Sequence, residues 1–155
     1  MQLKVMWPGK THNGPLRELQ AHYLKRINNL EPCSLFETRE ARGIPESQED
    51  RIKETEAAGL EKHFKDDYIV CLFDKGREMD SDQFAVFLDR TAMNQPHAIT
   101  FVVGGFLGLA NRLLQKADTQ LSLSRLTFSH ELTRVVLLEQ IYRALMIMKG
   151  RNYAK

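Results

Sequence analysis

The segment Thr100-Phe-Val-Val-Gly-Gly-Phe-Leu-Gly108 joins a β-prone apolar run to three closely spaced glycines. A continuous apolar run of this kind predicts a strand that is buried on both faces of a parallel sheet. Glycines after such a strand let the backbone turn tightly or approach a ligand, and the residues alone leave both interpretations open. Their spacing matches neither a dinucleotide-binding Gly-x-Gly-x-x-Gly motif nor a phosphate-binding loop.

On either side of this segment, strand-like and helix-like stretches alternate along the chain. Apolar or alternating runs predict strands at residues 2–7, 33–36, 68–73, 98–103 and 120–123. Apolar residues three and four apart predict helices around 16–27, at 47–65 with Ser47 as the cap, from Ser81, at 109–117 and at 130–148. We therefore expect an α/β fold, with a mainly parallel sheet covered by helices on both faces.

Length and composition predict a single globular domain over residues 1–155. Hydrophobic residues make up 43% and charged residues 27% of the chain, which argues against disorder. The net charge is only +2, so contact with nucleic acid needs a local basic patch. Cys33 and Cys71 lie in separate apolar runs, as expected for buried free thiols in a reducing compartment. Without a visible signal peptide or membrane-length apolar stretch, we expect a cytoplasmic protein with no membrane partner.

The histidines and serines form no metal-binding or hydrolase motif. His130-Glu131 begins like a zinc-protease motif, but Arg134 stands where the second histidine is required. The other four histidines have no mutual spacing typical of metal ligands, so we expect no metal. No serine stands in the nucleophile elbow of a hydrolase.

The last predicted helix is apolar around most of its circumference. One small domain rarely buries such a helix on every side, so we expect a homodimer through this helix, with a deep core helix as the alternative. Arg134 and Arg143 interrupt its apolar surface, and a buried guanidinium needs a partner. Glu139 would supply an ion pair that fixes the helix. The alternative is an arginine that contacts phosphate or base at a subunit interface.

The chain resembles the RlmH family of SPOUT-class methyltransferases, which methylate N3 of a pseudouridine in large-subunit ribosomal RNA. The most specific part of the resemblance is the block from Ser124 to Arg143. Further matching positions run nearly end to end and comprise Gly9-Lys10, Tyr23, Leu72, Gly104-Gly105-x-x-Gly108, Leu121, Gly150 and Tyr153. The resemblance implies a C-terminal trefoil knot, which connection rules alone argue against, a homodimer, and S-adenosylmethionine bound in the knot.

By position, the resemblance also implies a cofactor site and a substrate site. The cofactor site would comprise Leu72, Gly105, Ser124, Arg125, Leu126, Thr127, Phe128 and Ser129. Such a loop can recognise adenine through backbone groups beside small apolar side chains. The residues for catalysis and contact with the base would be His130, Arg134, Arg143 and Tyr153, with Arg26 and Lys10 as phosphate contacts. A neutral His130 could accept a proton while an arginine stabilises the developing anion.

Two positions depart from the family pattern. The family has Gly-Gly-Pro-x-Gly, whereas Phe106-Leu107 fills the middle here, which removes the proline and adds apolar bulk beside the cofactor pocket. The family ends in Pro-Tyr-His and a basic residue, whereas Ala154 replaces that histidine here. The sequence therefore leaves three functions open: methylation of the pseudouridine, binding of RNA or the ribosome without turnover by an impaired knotted homologue, and methylation of a different RNA.

Overall fold

The computed structural model describes residues 1–153, and a five-stranded parallel sheet forms its centre. The strands are β1 (Leu3–Pro8), β2 (Cys33–Thr38), β3 (Tyr68–Glu78), β4 (Ile99–Val102) and β5 (Thr119–Ser122). They lie in the order β2-β1-β4-β3-β5, and each pair of neighbouring strands is parallel. The predicted α/β class with a parallel sheet is confirmed.

Helices cover both faces of the sheet, as the alternation of elements predicted. They are α1 (Gly14–Asn28), α2 (Glu49–Glu61), α3 (Ser81–Asn94), α4 (Asn111–Lys116) and α5 (His130–Met148). Leu3, Val5 and Trp7 of β1 belong to a core cluster with residues of α1, α3 and α5. Met6, between Val5 and Trp7, belongs to a second cluster with residues of α2 and α4. Successive side chains of a strand point to opposite faces, so β1 serves both cores.

Helix α5 begins at His130 because Ser129 caps it. The Ser129 hydroxyl accepts a hydrogen bond from the Leu132 amide at 3.2 Å. The helix packs against both α1 and α3, so much of its apolar surface is covered within one chain. Leu132 and Ile147 nevertheless remain 38% exposed. The homodimer through this helix stays a prediction.

The predicted bounds of α2 and β3 are wrong, and α2 ends at Glu61 rather than at Lys65. Ser47 does not cap α2, because it lies inside a 3-10 turn (Glu46–Gln48) in which the Gln48 amide bonds the Pro45 carbonyl at 2.9 Å. Strand β3 continues five residues beyond Phe73, as far as Glu78. Its polar second half pairs with β5 alone, after a register shift, and therefore lacks the apolar pattern of a strand buried on both sides.

Both cysteines are free and buried, as predicted. Burial raises the pKa of the Cys33 thiol and of the Cys71 thiol to about 12, so neither is a reactive thiolate near neutral pH. Within residues 1–153, none of the helices has the length and apolar character needed to cross a bilayer.

Candidate active site

A cavity of about 300 Å³ opens at the carboxyl ends of β4 and β5, beside the middle of β3. Its walls come from residues 72–74 of β3, residues 103–108 after β4, parts of the segment 121–128, and the start of α5. Ligands of open α/β sheets bind outside the carboxyl ends of the strands, so the fold itself singles out this cavity. We call it the knot-side pocket.

The loop after β4 is a tight turn whose glycines cannot carry side chains without movement. The Gly105 carbonyl accepts the Gly108 amide at 3.0 Å, and Gly108 has φ +87°. A Cβ on Gly104 would lie 2.6 Å from the Gly108 carbonyl carbon, and one on Gly105 would lie 2.8 Å from Oε1 of the buried Glu56. The tight turn is confirmed, and it lines a cavity, while approach of these glycines to a ligand stays a prediction.

Hydrogen bonds of Ser122, the last residue of β5, join the loop after this strand to the middle of β3. The Ser122 hydroxyl lies 3.0 Å from the carbonyl oxygens of both Asp74 and Ser124. The Ser124 hydroxyl accepts the Leu126 amide at 2.9 Å, which fixes the next turn of the loop. These bonds hold a wall of backbone and small side chains against the pocket.

Most of the predicted cofactor residues line the knot-side pocket, namely Leu72, Gly105, Ser124, Leu126, Thr127 and Phe128. Two do not. The Arg125 side chain is 85% exposed, with its Nε 3.9 Å from Glu78, and Ser129 is engaged as the cap of α5. For these two residues, contact with a cofactor stays a prediction.

Several pocket residues were not foreseen from the sequence. Asp74 contributes the sole carboxylate to the described lining, and Thr133 contributes a hydroxyl from α5. Asp74 directly follows the apolar run predicted as β3, so the rule that ligands lie beyond the carboxyl ends of strands would have indicated it. Thr133 gave no signal apart from its distance of three residues from His130 on one helix.

His130 lines the knot-side pocket and is half-buried. Burial lowers the pKa of its imidazole below 6.5, and the positive charge of Arg134 lowers that pKa further. The ring is therefore mainly neutral at neutral pH and can accept a proton. The His130 ring has Phe106 as an aromatic neighbour, with ring centroids 6.3 Å apart and ring planes at 85°.

Arg134 does not line this pocket. Its side chain is completely buried, and it donates to Thr11 Oγ1 at 3.0 Å and to the Pro8 carbonyl at 2.8 Å. Its guanidinium lies 5.1 Å from the Trp7 ring centroid. This geometry is that of a positioning residue that ties α5 to the end of β1. Contact of Arg134 with the substrate stays a prediction.

The first turn of α5 also fixes the loop between β1 and α1. The Glu131 carboxylate accepts the amides of His12 and Asn13, both at 2.9 Å. Lys10, predicted as a phosphate contact, lies in the same loop and is exposed. Helix α5 thus places His130 in the pocket and holds the backbone around Lys10.

The other predicted substrate residues form a second cluster at the far end of α5. Arg143 Nη2 donates to Glu139 at 2.7 Å, which confirms the expected ion pair, and its guanidinium lies 4.4 Å from the Tyr153 ring centroid. Arg26 of α1 lies 5.0 Å from the Tyr142 ring centroid. Burial is the main cause that raises the Tyr153 pKa to about 12. Within one chain this cluster lies away from His130, because Arg143 comes thirteen residues later on the same helix. Ala154, which replaces the histidine of the family pattern, lies outside the described residues.

Comparison with known proteins gives full-length matches. Residues 1–154 match a family model described as predicted SPOUT methyltransferase. Ribosomal RNA large subunit methyltransferase H of Clostridium kluyveri is 34% identical over 159 aligned residues that cover 100% of both chains. Its namesake in Geobacter metallireducens is 36% identical over 154 residues, covering 99% of this chain and 98% of the relative. A solved probable methylase family protein from Haemophilus influenzae shares the fold, with a TM-score of 0.54 at 13% identity over 99% of this chain and 72% of its own.

The knot-side pocket fits the methyl donor of this family. Its volume of about 300 Å³ falls at the lower end of the range for small-molecule sites, and its walls combine apolar side chains with backbone groups of tight turns. Such walls suit adenine, which is apolar on its faces and polar at its edges. No group of three or more potential metal ligands occurs within residues 1–153. The chain belongs to the SPOUT methyltransferase family, whose members take the methyl group from S-adenosylmethionine.

Proposed function

We propose that this protein methylates N3 of a pseudouridine in large-subunit ribosomal RNA. Support comes from the relatives named ribosomal RNA large subunit methyltransferase H, which match the whole chain at 34% and 36% identity. The structural observation that carries the proposal is His130, a histidine with a lowered pKa in the wall of the cofactor-sized pocket. A neutral imidazole at this place suits an acceptor nitrogen that must lose a proton.

The residues of the pocket have three tasks in this reaction. S-adenosylmethionine supplies an electrophilic methyl group on its sulfonium. The turns at 103–108 and 124–128 hold the donor in one orientation, and alignment of the reacting atoms supplies much of the acceleration. The apolar walls exclude water. The imidazole of His130 would accept the N3 proton as that nitrogen takes up the methyl group.

The proposed enzyme is a homodimer, because its substrate residues lie in two separate clusters. His130 and Arg143 are thirteen residues apart on α5, which places them about 20 Å apart along the axis. A second copy could bring Arg143 and Tyr153 to the mouth of the first copy's pocket. Exposed apolar side chains on α1 and α5, Leu19 and Leu132, offer surface for such an interface.

The proposed partner is large-subunit RNA, free or within the assembled ribosome. With a net charge of +2, the chain has no general basic surface, so local contacts by Lys10, Arg26 and Arg143 would hold the phosphates. Recognition then depends on the shape of a folded RNA rather than on bulk charge. Because the substrate belongs to the ribosome, the proposed place of action is the cytoplasm.

The test is transfer of a labelled methyl group to large ribosomal subunits that lack this modification, with small subunits as the control. We expect incorporation into the large subunit alone and its loss in the His130→Gln variant. Ribosome binding by a protein that binds the cofactor but gives no incorporation would support the impaired homologue instead. Incorporation only into other RNAs would show a different substrate.

A further inference from the structure

Phe106 is the most exposed phenylalanine of the chain. Its side chain is 73% exposed, whereas Phe84 and Phe101 of the core are 4% and 0% exposed. An aromatic side chain contributes most to stability when it is buried, so this placement brings little to the fold. Phe106 also leaves the pocket open, since it lines a cavity of about 300 Å³ without filling it. The apolar bulk that replaces the family's proline therefore lies at the pocket's mouth.

The backbone presents this ring rigidly. Phe106 follows Gly105 in the turn closed by the Gly108 amide and the Gly105 carbonyl at 3.0 Å. The two glycines also form an isolated antiparallel bridge, which fixes both ends of the turn. These contacts restrain the Phe106 backbone, so little backbone entropy remains to be lost on contact with a ligand.

The ring stands beside the proposed proton acceptor. The Phe106 and His130 ring centroids are 6.3 Å apart, and the ring planes are at 85°. A base that lies parallel to Phe106 is therefore not stacked on His130, and the imidazole is left to meet the edge of the base that carries N3. Bases that are recognised outside a helix stack on aromatic side chains, and enzymes that modify a base first take it out of the stack.

We propose that Phe106 is the stacking platform for the target nucleobase, which it holds flat at the mouth of the knot-side pocket with the N3 edge toward His130. The proposal rests on the proposed function and adds a residue that contacts the substrate. The family's proline offers no aromatic face, so this contact is a property of this chain.

The kinetic test compares aromatic with non-aromatic replacements. Phe106→Tyr and Phe106→Trp keep an aromatic face, Phe106→Leu keeps apolar bulk, and Phe106→Ala keeps neither. We expect kcat/KM for the ribosomal substrate to fall roughly 5- to 100-fold in the leucine and alanine variants and to stay within about threefold in the aromatic ones. Each variant is assayed at a concentration of S-adenosylmethionine that saturates it, so that a change of kcat/KM reports the ribosomal substrate alone. Met93→Ala, which removes another exposed apolar side chain, is the control.

Three results would overturn the proposal. Wild-type activity in Phe106→Leu would show that apolar bulk suffices. An undiminished kcat/KM in Phe106→Ala would show that the ring makes no contact. Loss of activity together with dissociation of a homodimer in sedimentation would make Phe106 a subunit contact instead.

A binding measurement separates this proposal from the proposed function. Trp7 is the sole native tryptophan and is completely buried, so a tryptophan introduced by Phe106→Trp gives a distinct exposed signal. Stacking predicts quenching of that signal by a short RNA loop containing pseudouridine, with the unsubstituted protein as the blank. This result would support the platform even if no RNA were methylated. RNA binding without quenching would overturn it.

Discussion

His130 is the first residue of α5 and Arg143 the fourteenth, about 20 Å apart along its axis. One lines the knot-side pocket, and the other packs on Tyr153 beside α1. A single nucleotide cannot contact both in one chain, so a site that uses both residues, as proposed, needs two copies. This separation converts a predicted homodimer into a requirement of the proposed mechanism.

Mixing two inactive variants tests this requirement. His130→Gln and Arg143→Gln should each lose activity, because each removes one half of every site. Random exchange of subunits makes about half of the dimers mixed, and each mixed dimer has one intact site out of two. We therefore expect recovery of about a quarter of wild-type activity. No recovery, with subunit exchange demonstrated, would contradict a shared site.

The pH dependence of turnover should report the neutral form of His130. Its pKa is lowered below 6.5 by burial and by Arg134, so the neutral fraction rises with pH and is nearly complete by neutral pH. We expect kcat to rise along an acid limb below pH 6.5. His130→Gln should remove that limb and lower kcat by roughly 10²- to 10⁴-fold. His97→Gln, an exposed histidine outside the pocket lining, is the control. A limb that survives in His130→Gln would assign the proton to another group.

Replacing Arg134 should cost stability rather than only activity. Arg134→Met keeps most of the buried stem but leaves the Thr11 hydroxyl and the Pro8 carbonyl without their donor. We expect the free energy of unfolding to fall by about 2–4 kcal/mol. Arg125→Met, at a side chain that is 85% exposed, should change it by less than about 0.5 kcal/mol. Urea unfolding followed by Trp7 fluorescence measures both, and equal stabilities would contradict the positioning role.

The sequence contained enough to predict the sheet and α5. Strands β3 and β4 contain apolar runs, β1 alternates, and the helix predicted at 130–148 is observed at the same residues. The full lengths of the edge strand β2 and of the polar half of β3 were harder to predict. Both segments pair with a single neighbouring strand, and such a strand needs no continuous apolar run. Ser47 has a capping side chain, but Pro45 starts a turn that delays the helix past it.

The arrangement of the site depended on contacts between distant parts of the chain. The partners of Arg134 come from β1 and the loop after it, more than 120 residues away, so spacing along α5 pointed only to Glu139. Arg125 lies outside the pocket lining because its side chain points away from the pocket. The direction of a side chain in a loop follows no periodic sequence pattern, so it could not be predicted. The trefoil knot follows from family membership, since connection rules argue against knots.

Gly104→Ala tests whether the turn after β4 shapes the cofactor site. The added Cβ would lie 2.6 Å from the Gly108 backbone, so the turn must move. We expect the affinity for S-adenosylmethionine in calorimetric titration to fall at least about tenfold, since small displacements of positioning groups are costly. Gly14→Ala, where no atom lies within 4 Å of the added Cβ, should bind as the wild type does. Equal affinities for all three proteins would place the cofactor elsewhere.

The most direct test of the proposed function is to locate the methyl group that the protein adds. Large ribosomal subunits lacking the modification would be treated with the protein and S-adenosylmethionine, and the RNA would be digested and sequenced by mass spectrometry. The proposed function predicts one added methyl group, on N3 of a pseudouridine. A methyl group on another nucleotide or another atom, or none from a folded protein that binds the cofactor, would contradict it.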